Sequence, residues 1–332
     1  MDKINPALLL IAALLFVAGL HVGLRVYTPA EVWGALAGGS AEAPAADFTA
    51  LIVRTARLPR ALLATVAGAA LGLAGLIMQS ATRNPVAEPG LLGVNAGAAF
   101  AVAALLTFEP GAAFPAILGA AAAGSLLAAV LVFGLALVAG VASSPSHLLL
   151  AGVSVAALLM AAVQVLMILN ESSLAELLFW LSGSFADRPL TGLAAVAALT
   201  TVGAVLALGQ AGSLDVLQSD DATAAGVGLS VTRRRLGILA LAAVLTGGAV
   251  ALAGPVSFIG LLAPHLARLL GARGHRALIP RTMLCGLVLA LSADLLARFV
   301  IHPSEAPVSA VMALVGVPCL IALLRGGRLR AA

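Results

Sequence analysis

Apolar residues run through this chain in long uninterrupted blocks, with polar ones gathered into short breaks between them. From Pro110 to Asn170 there is no Asp, Glu, Lys or Arg, and from Leu236 to Ala267 there is none either. A helix crosses the hydrocarbon core with about 20 apolar residues, so both blocks are long enough to span a membrane. Barrel strands would instead alternate in short segments. The pattern predicts spans at about 6–24, 61–81, 90–108, 113–142, 147–169, 189–212, 235–254, 255–271, 279–299 and 306–324. That is an all-α polytopic membrane protein of ten transmembrane helices, with residues 26–60 as a polar connection. Ser143-Ser144-Pro145 breaks the first block and Gly254-Pro255 the second, because proline removes a backbone donor and disfavours helix in the residue before it. Pro6–Leu24 reads as an uncleaved first span, being long for a signal core and followed by no soluble mature protein.

Composition removes the soluble alternatives. Of 332 residues, 62% are hydrophobic and 10% charged, where globular chains carry about 25% charged. No polar stretch is long enough to build a separate core, so residues 1–332 form a single transmembrane domain. The pI near 10.0 rests on a net charge of only +4, and aromatics make up 4% of the chain. No basic patch interleaves with aromatics for base stacking, so nucleic acid is not a partner. Cys285 and Cys319 lie in apolar segments and read as small hydrophobes rather than a disulfide or metal pair.

Basic residues orient the chain. With both termini in the cytoplasm, twelve of the eighteen Lys and Arg fall on that side. Arg25, Arg54, Arg57, Arg60, Arg188 and Arg298 fall on the other. Three of these follow a helical spacing, Arg54-x-x-Arg57-x-x-Arg60. Charge alone leaves two readings for them: helix-end arginines snorkelling to headgroups, or a patch that binds acidic groups. Asp294, embedded in a late span, stands one turn from Arg298 and is read as its partner.

The chemistry-bearing residues exclude several classes. The deep polar positions, Gln79 and Gln164, do not titrate, which argues against a proton- or sodium-driven carrier. No filter-like loop or charge ring marks a channel. Neither a nucleophile–base set nor a metal cluster marks an enzyme. His265 has no ligand at metal spacing and reads, with Arg268, as structural near helix-end carbonyls. No Gly-x-x-x-x-Gly-Lys-Ser/Thr loop is present to bind ATP.

Several stretches then fall into one order. They are Arg57-Leu58-Pro59-Arg60 leading to Gly68 through Gly75, Arg83-Asn84-Pro85-Val86-Ala87-Glu88-Pro89-Gly90, and Trp180-Leu181-Ser182-Gly183-Ser184. Further on stand Gly254-Pro255-Val256-Ser257-Phe258-Ile259-Gly260-Leu261, Pro264-His265-x-x-Arg268, Ala293-Asp294-x-x-Ala297-Arg298, Glu305-Ala306-Pro307-Val308 and Gly316-Val317-Pro318. Over about residues 50–330 the series resembles the FecCD-type permeases, the membrane subunits of bacterial ABC importers for ferric siderophores, haem and cobalamin.

That resemblance implies a cobalamin-importer-permease-like (type II ABC importer) fold in the bacterial inner membrane. It also implies a second copy of the permease completing the pathway, two cytoplasmic ATPase subunits carrying ATP and Mg, and an external substrate-binding protein. The permease itself holds no cofactor and is no enzyme. The resemblance implies that Arg57, Arg60 and Arg298 pair outward with glutamates of the binding protein. It gives Asp220, Asp221, Ala224, Val227 and Gly228, within a coupling segment at about 213–234, the task of meeting the ATPase; Asp220 stands where relatives carry Gly. Asn84, Val86, Ser144 and Ser146 would narrow the cytoplasmic end of the pathway, and Pro145-Ser146 replaces a Thr-Ser pair of relatives. Ferric siderophore is the expected cargo, with haem and cobalamin as alternatives.

Overall fold

The computed structural model describes residues 5–23, 25–37, 44–140, 145–169, 174–186, 188–219, 221–301 and 304–325. They fold into α1 (Pro6–His21), α2 (Pro29–Ala37), α3 (Pro44–Ile52), α4 (Leu58–Thr82), α5 (Val94–Phe108), α6 (Phe114–Val138), α7 (Pro145–Leu169), α8 (Leu174–Leu181), α9 (Leu193–Gly209), α10 (Ala211–Leu217), α11 (Asp221–Gly226), α12 (Val231–Ala253), α13 (Ile259–Leu269), α14 (His275–Ala297) and α15 (Val308–Arg325). Each expected span coincides with an apolar helix. Among the described residues, five helices are long and apolar enough to cross a membrane alone, or six if α9 and α10, bent by 66°, are counted as one span. The helices α1, α5, α13 and α15 are apolar but shorter.

The expected polar connection at 26–60 is instead mostly helical. A π-helical stretch, Val53–Arg57, joins α3 to α4, so Phe48–Thr82 runs as one helix of 35 residues.

The core sits around α4, nearly every residue of which is buried. It packs against α14, α12 and α13. Small residues set these distances, as in membrane bundles where backbones approach closely. A methyl group on Gly68 would lie 2.6 Å from the Gly286 carbonyl oxygen of α14, and one on Gly75 would overlap the Gly260 carbonyl of α13. Gly97 of α5 and Gly124 of α6 face each other in the same way. By contrast α7 is mostly exposed along its apolar length, with Leu158 and Ile168 open to the surroundings.

The chain breaks at Gly254-Pro255 as expected, and the break is stitched in place. Gly254 takes φ +73, a left-handed conformation that favours glycine. Ser184 N donates to the Ala253 carbonyl at 2.9 Å, Ser309 Oγ donates to the Pro255 carbonyl at 2.7 Å, and Phe258 N donates to Glu88 Oε1 at 2.5 Å. The residues between α12 and α13 are therefore held from α8's exit, from α15 and from the turn after α4.

Candidate functional site

Two polar clusters stand at opposite ends of the α4–α14 pair. Twenty residues separate Arg60 from Ser80 on α4, a rise of about 30 Å. The first cluster gathers Arg57, Arg60 and Arg298, as their expected common role requires, but commits all three within the chain. Arg57 Nη1 donates to the carbonyls of Leu20 at 2.9 Å and His21 at 2.6 Å, and its Nη2 to that of Arg25. Its guanidinium lies 4.3 Å over the Tyr27 ring. Arg298 Nη1 donates to the carbonyls of Gly19 at 2.8 Å and Val22 at 2.5 Å. The last carbonyls of a helix have no intrahelical partner; here two arginines from distant spans satisfy those of α1.

Arg60 and Arg298 share Asp294. Arg60 Nε meets Oδ1 at 2.5 Å, and Arg298 Nη2 meets Oδ2 at 2.6 Å. Asp294 is 1% exposed, so the i,i+4 pairing read from the sequence exists and is one half of a buried bridge between α4 and α14. Arg60 Nη1 also meets Glu305 Oε2 at 2.5 Å. The residual exposures of Arg57, Arg60 and Arg298 are 8%, 8% and 2%. None offers an uncovered guanidinium at the surface, whereas Arg25 and Arg54 are exposed. A cavity of about 280 Å³ opens beside them, lined by Gly23, Arg25, Tyr27, Arg57, Arg60, Arg298 and Glu305, among others.

The second cluster holds α10 and α11. Asp221, first residue of α11, pairs with Arg83 and, at 2.9 Å, with Arg235 Nη2. Arg83 Nε donates to the Leu217 carbonyl at 2.7 Å, and Arg235 Nε to that of Ala81 at 3.0 Å. Burial pushes the Asp221 carboxyl up, but bonds from Arg235 and Arg83 outweigh it and hold the group below its ordinary value. A depressed carboxylate contributes stability above its unfolded pKa and loses it as pH falls through the folded one. The anchoring of α11 is thus expected to be constant from neutral pH down to the ordinary Asp range and to loosen only below it. Hydrogen exchange of residues 221–226 across that interval checks this.

Asp215, His275 and Ser80 lie in line: His275 Nδ1 is 2.6 Å from Asp215 Oδ1, and Nε2 is 2.6 Å from Ser80 Oγ. The order is that of a hydrolase triad, but Ser80 is 0% exposed and its hydroxyl donates to the Leu76 carbonyl at 2.8 Å. No acyl substrate reaches it, so the line ties α10, α14 and α4 together.

The coupling residues divide. Ala224 is 0% exposed and packs inward, whereas Val227, just past α11, is 67% exposed. Gly228, at φ +83, ends α11: its N–H reaches the Ala225 carbonyl at 2.9 Å and the Leu229 N–H that of Ala224 at 3.1 Å, the double closure a left-handed residue permits. Asp220 and Ser144 lie outside the described residues, and Ser146 is exposed on the first turn of α7. Asn84 Oδ1 accepts from Val86 N at 3.1 Å, a turn motif of short polar side chains, and Val86 packs half-buried in the core. His265 Nδ1 lies 2.8 Å from the Leu261 carbonyl, and Arg268 donates to Gln79 at 3.1 Å, in keeping with structural roles.

Glu88, Asp215, His275 and Ser80 escaped the sequence reading. Glu88 sat in a quoted motif, but no local spacing points from it to Phe258, 170 residues away. Among the described residues, no group of three or more His, Cys, Asp or Glu could hold a metal ion.

The described residues thus form a multi-helix bundle with two short helices bolted at one end and a buried arginine cluster at the other. The model of the FecCD transport family matches residues 9–326, and the chain belongs to that family. It is 41% identical over 324 residues to the ferric enterobactin transport system permease protein FepD of Escherichia coli (strain K12), covering 96% of this chain and 94% of that one. It is 38% identical to the Fe(3+)-citrate import system permease protein YfmD of Bacillus subtilis (strain 168), covering 84% and 82%. The hemin transport system permease protein HmuU of Yersinia pestis is 38% identical, with 81% of each chain covered. A solved structure assigned to the metal-chelate type of ABC transporter, in an inward-facing conformation, superimposes with a TM-score of 0.83 at 28% identity, covering 96% of this chain and 98% of that one. The all-helical architecture is therefore that of a multi-pass membrane permease.

Proposed function

We propose that this chain is the permease subunit of an ATP-driven importer for a ferric siderophore or similar iron chelate. It pairs with a second copy to complete the pathway, receives cargo from an external binding protein and is driven by two cytoplasmic ATPase subunits. Ferric chelates are favoured over haem and cobalamin by the named cargoes of the two relatives FepD and YfmD. Lys3 is the only lysine, so no P-loop lysine exists in this chain and the energy must enter through a partner. A two-fold pair is the commonest closed assembly.

The observation that carries the reading is the pair of clusters joined by α4 and α14. The α10–α11 end, rich in basic residues nearby, is assigned to the cytoplasm with both termini, and the arginine end to the outer face. The outer cavity is the docking face: Arg25 and Arg54 meet acidic side chains of the binding protein, while Arg57, Arg60 and Arg298 shape the face from beneath. At the other end the exposed surface of α11 and, just beyond it, Val227 meet the ATPase.

The test follows from that division. Val227→Asp places a charge on an exposed apolar contact without touching the anchors at Asp221 and Ala224. Uptake driven by ATP in proteoliposomes is expected to fall at least about tenfold, the scale of a desolvated apolar contact turned ionic, with thermal stability unchanged. Wild-type uptake in this variant would remove α11 from coupling.

A further inference from the structure

Glu305 is placed where a docking partner's carboxylate would go. It lies in the irregular stretch between α14 and α15, lines the outer cavity, and its Oε2 is 2.5 Å from Arg60 Nη1 with the side chain 34% exposed. The other carboxylate on Arg60, Asp294, is buried on α14 and clamped by a second arginine. Of the two, only Glu305 can leave without breaking the bundle.

The cavity also retains capacity for an anion. Arg25, Arg57, Arg60 and Arg298 line it against the single carboxylate of Glu305, with Asp294 behind. Arg298 Nε is buried and has no acceptor among the described residues. A carboxylate entering here meets net positive charge inside low-dielectric walls, and both raise its attraction.

We propose that Glu305 is an intrachain stand-in for the binding protein's carboxylate. In the undocked permease it occupies Arg60; docking proceeds by exchange, the incoming carboxylate taking Arg60 as Glu305 turns out to solvent. This rests on the docking reading above and adds to it a competitor and a path inward. Glu305 is three residues before α15, whose first amide, Val308 N, donates to the Gly183 carbonyl at 3.1 Å and whose Ser309 holds the Pro255 carbonyl. Releasing Glu305 therefore loosens the tie between α4 and the start of α15, next to the Gly254-Pro255 break between α12 and α13. The exchange makes a docked partner sensed by a transmembrane helix, with no cofactor or covalent step.

A competitor that is removed leaves its site easier to fill. Glu305→Gln keeps the shape and loses the charge, so the affinity of the separately purified binding protein for nanodisc-held permease is expected to rise about two- to fivefold, the scale of one partly exposed ion pair. Its dependence on salt should steepen, since the undocked cavity is then more positive. Glu305→Asp, one methylene shorter, should give a smaller rise and guards against a folding defect in the first variant. Unchanged or weakened docking in both variants, with unaltered melting, would overturn the proposal and leave Glu305 a strut. Arg25→Glu separates the two readings. If it weakens docking while the Glu305 variants do nothing, the docking face stands and the exchange falls. If Arg25→Glu also does nothing, the face itself is wrong and the exchange falls with it.

Discussion

Asp294→Ala is expected to destabilise the permease by about 3–5 kcal/mol, the cost of stripping one partner from a buried ion pair. Asp294 bonds Arg60 on one side and Arg298 on the other at 1% exposure, so its loss leaves two cations to repel each other in an apolar setting. The effect should spread to α1, because Arg298 bonds the Gly19 and Val22 carbonyls from a position that Asp294 fixes. Thermal unfolding in detergent reads the first effect, and hydrogen exchange of residues 19–22 the second. Removing Arg298 in the same chain should cost less than the two single changes together, since one orphaned cation goes with it. Strict additivity would mean the two residues do not act as a pair.

This cluster also shows what the sequence could and could not display. Arg298 and Asp294 stand at i,i+4 on one helix, a spacing that makes contact whatever the rest of the fold does. Long apolar blocks likewise announce spans without tertiary knowledge, and a proline after a serine pair announces a break. The partners of Arg57 are carbonyls of Leu20 and His21, 37 and 36 residues away, and every chain has carbonyls everywhere. No residue type marks them. Nothing local in the sequence shows that two of the three guanidinia, those of Arg57 and Arg298, bond the last carbonyls of α1.

Ala224 carries the same lesson at the other end. On a continuing helix the i,i+3 spacing would put Ala224 and Val227 on one face. But α11 ends at Gly226, so Ala224 is buried while Val227, just past the helix, is exposed. Where so short a helix stops is not written in small residues that suit either side. Glu88 and His275 were invisible for a third reason. Both bond across the bundle, to Phe258 and to Asp215 and Ser80, and such pairings depend on which helices are neighbours. The π-helical stretch at Val53–Arg57 follows the same rule. Arg57 at its end and Arg60 in the following turn are both buried, with partners on α1 and α14.

Gly75→Ala is the second large effect expected, and it tests the packing on which both clusters depend. A methyl group there would overlap the backbone carbonyl of Gly260. A side chain in the way could rotate aside, but a carbonyl moves only with its helix. Here α13 is pinned at its start by Phe258 N on Glu88 and by Gln79 Nε2 on the Leu261 carbonyl at 3.2 Å. Overpacking a core costs about 1–3 kcal/mol when neighbours can adjust, so this case belongs at or beyond the upper end, near about 3 kcal/mol. Gly237→Ala supplies the comparison. Gly237 lies in α12, is exposed, and would place its methyl where no atom stands within 4 Å. There the gain in helix propensity should stabilise by about 0.5–1 kcal/mol. The pair of variants, read by monodisperse yield and melting midpoint, should move in opposite directions from wild type. A Gly75→Ala protein that melts with the wild type would mean that α4 and α13 do not meet backbone to backbone.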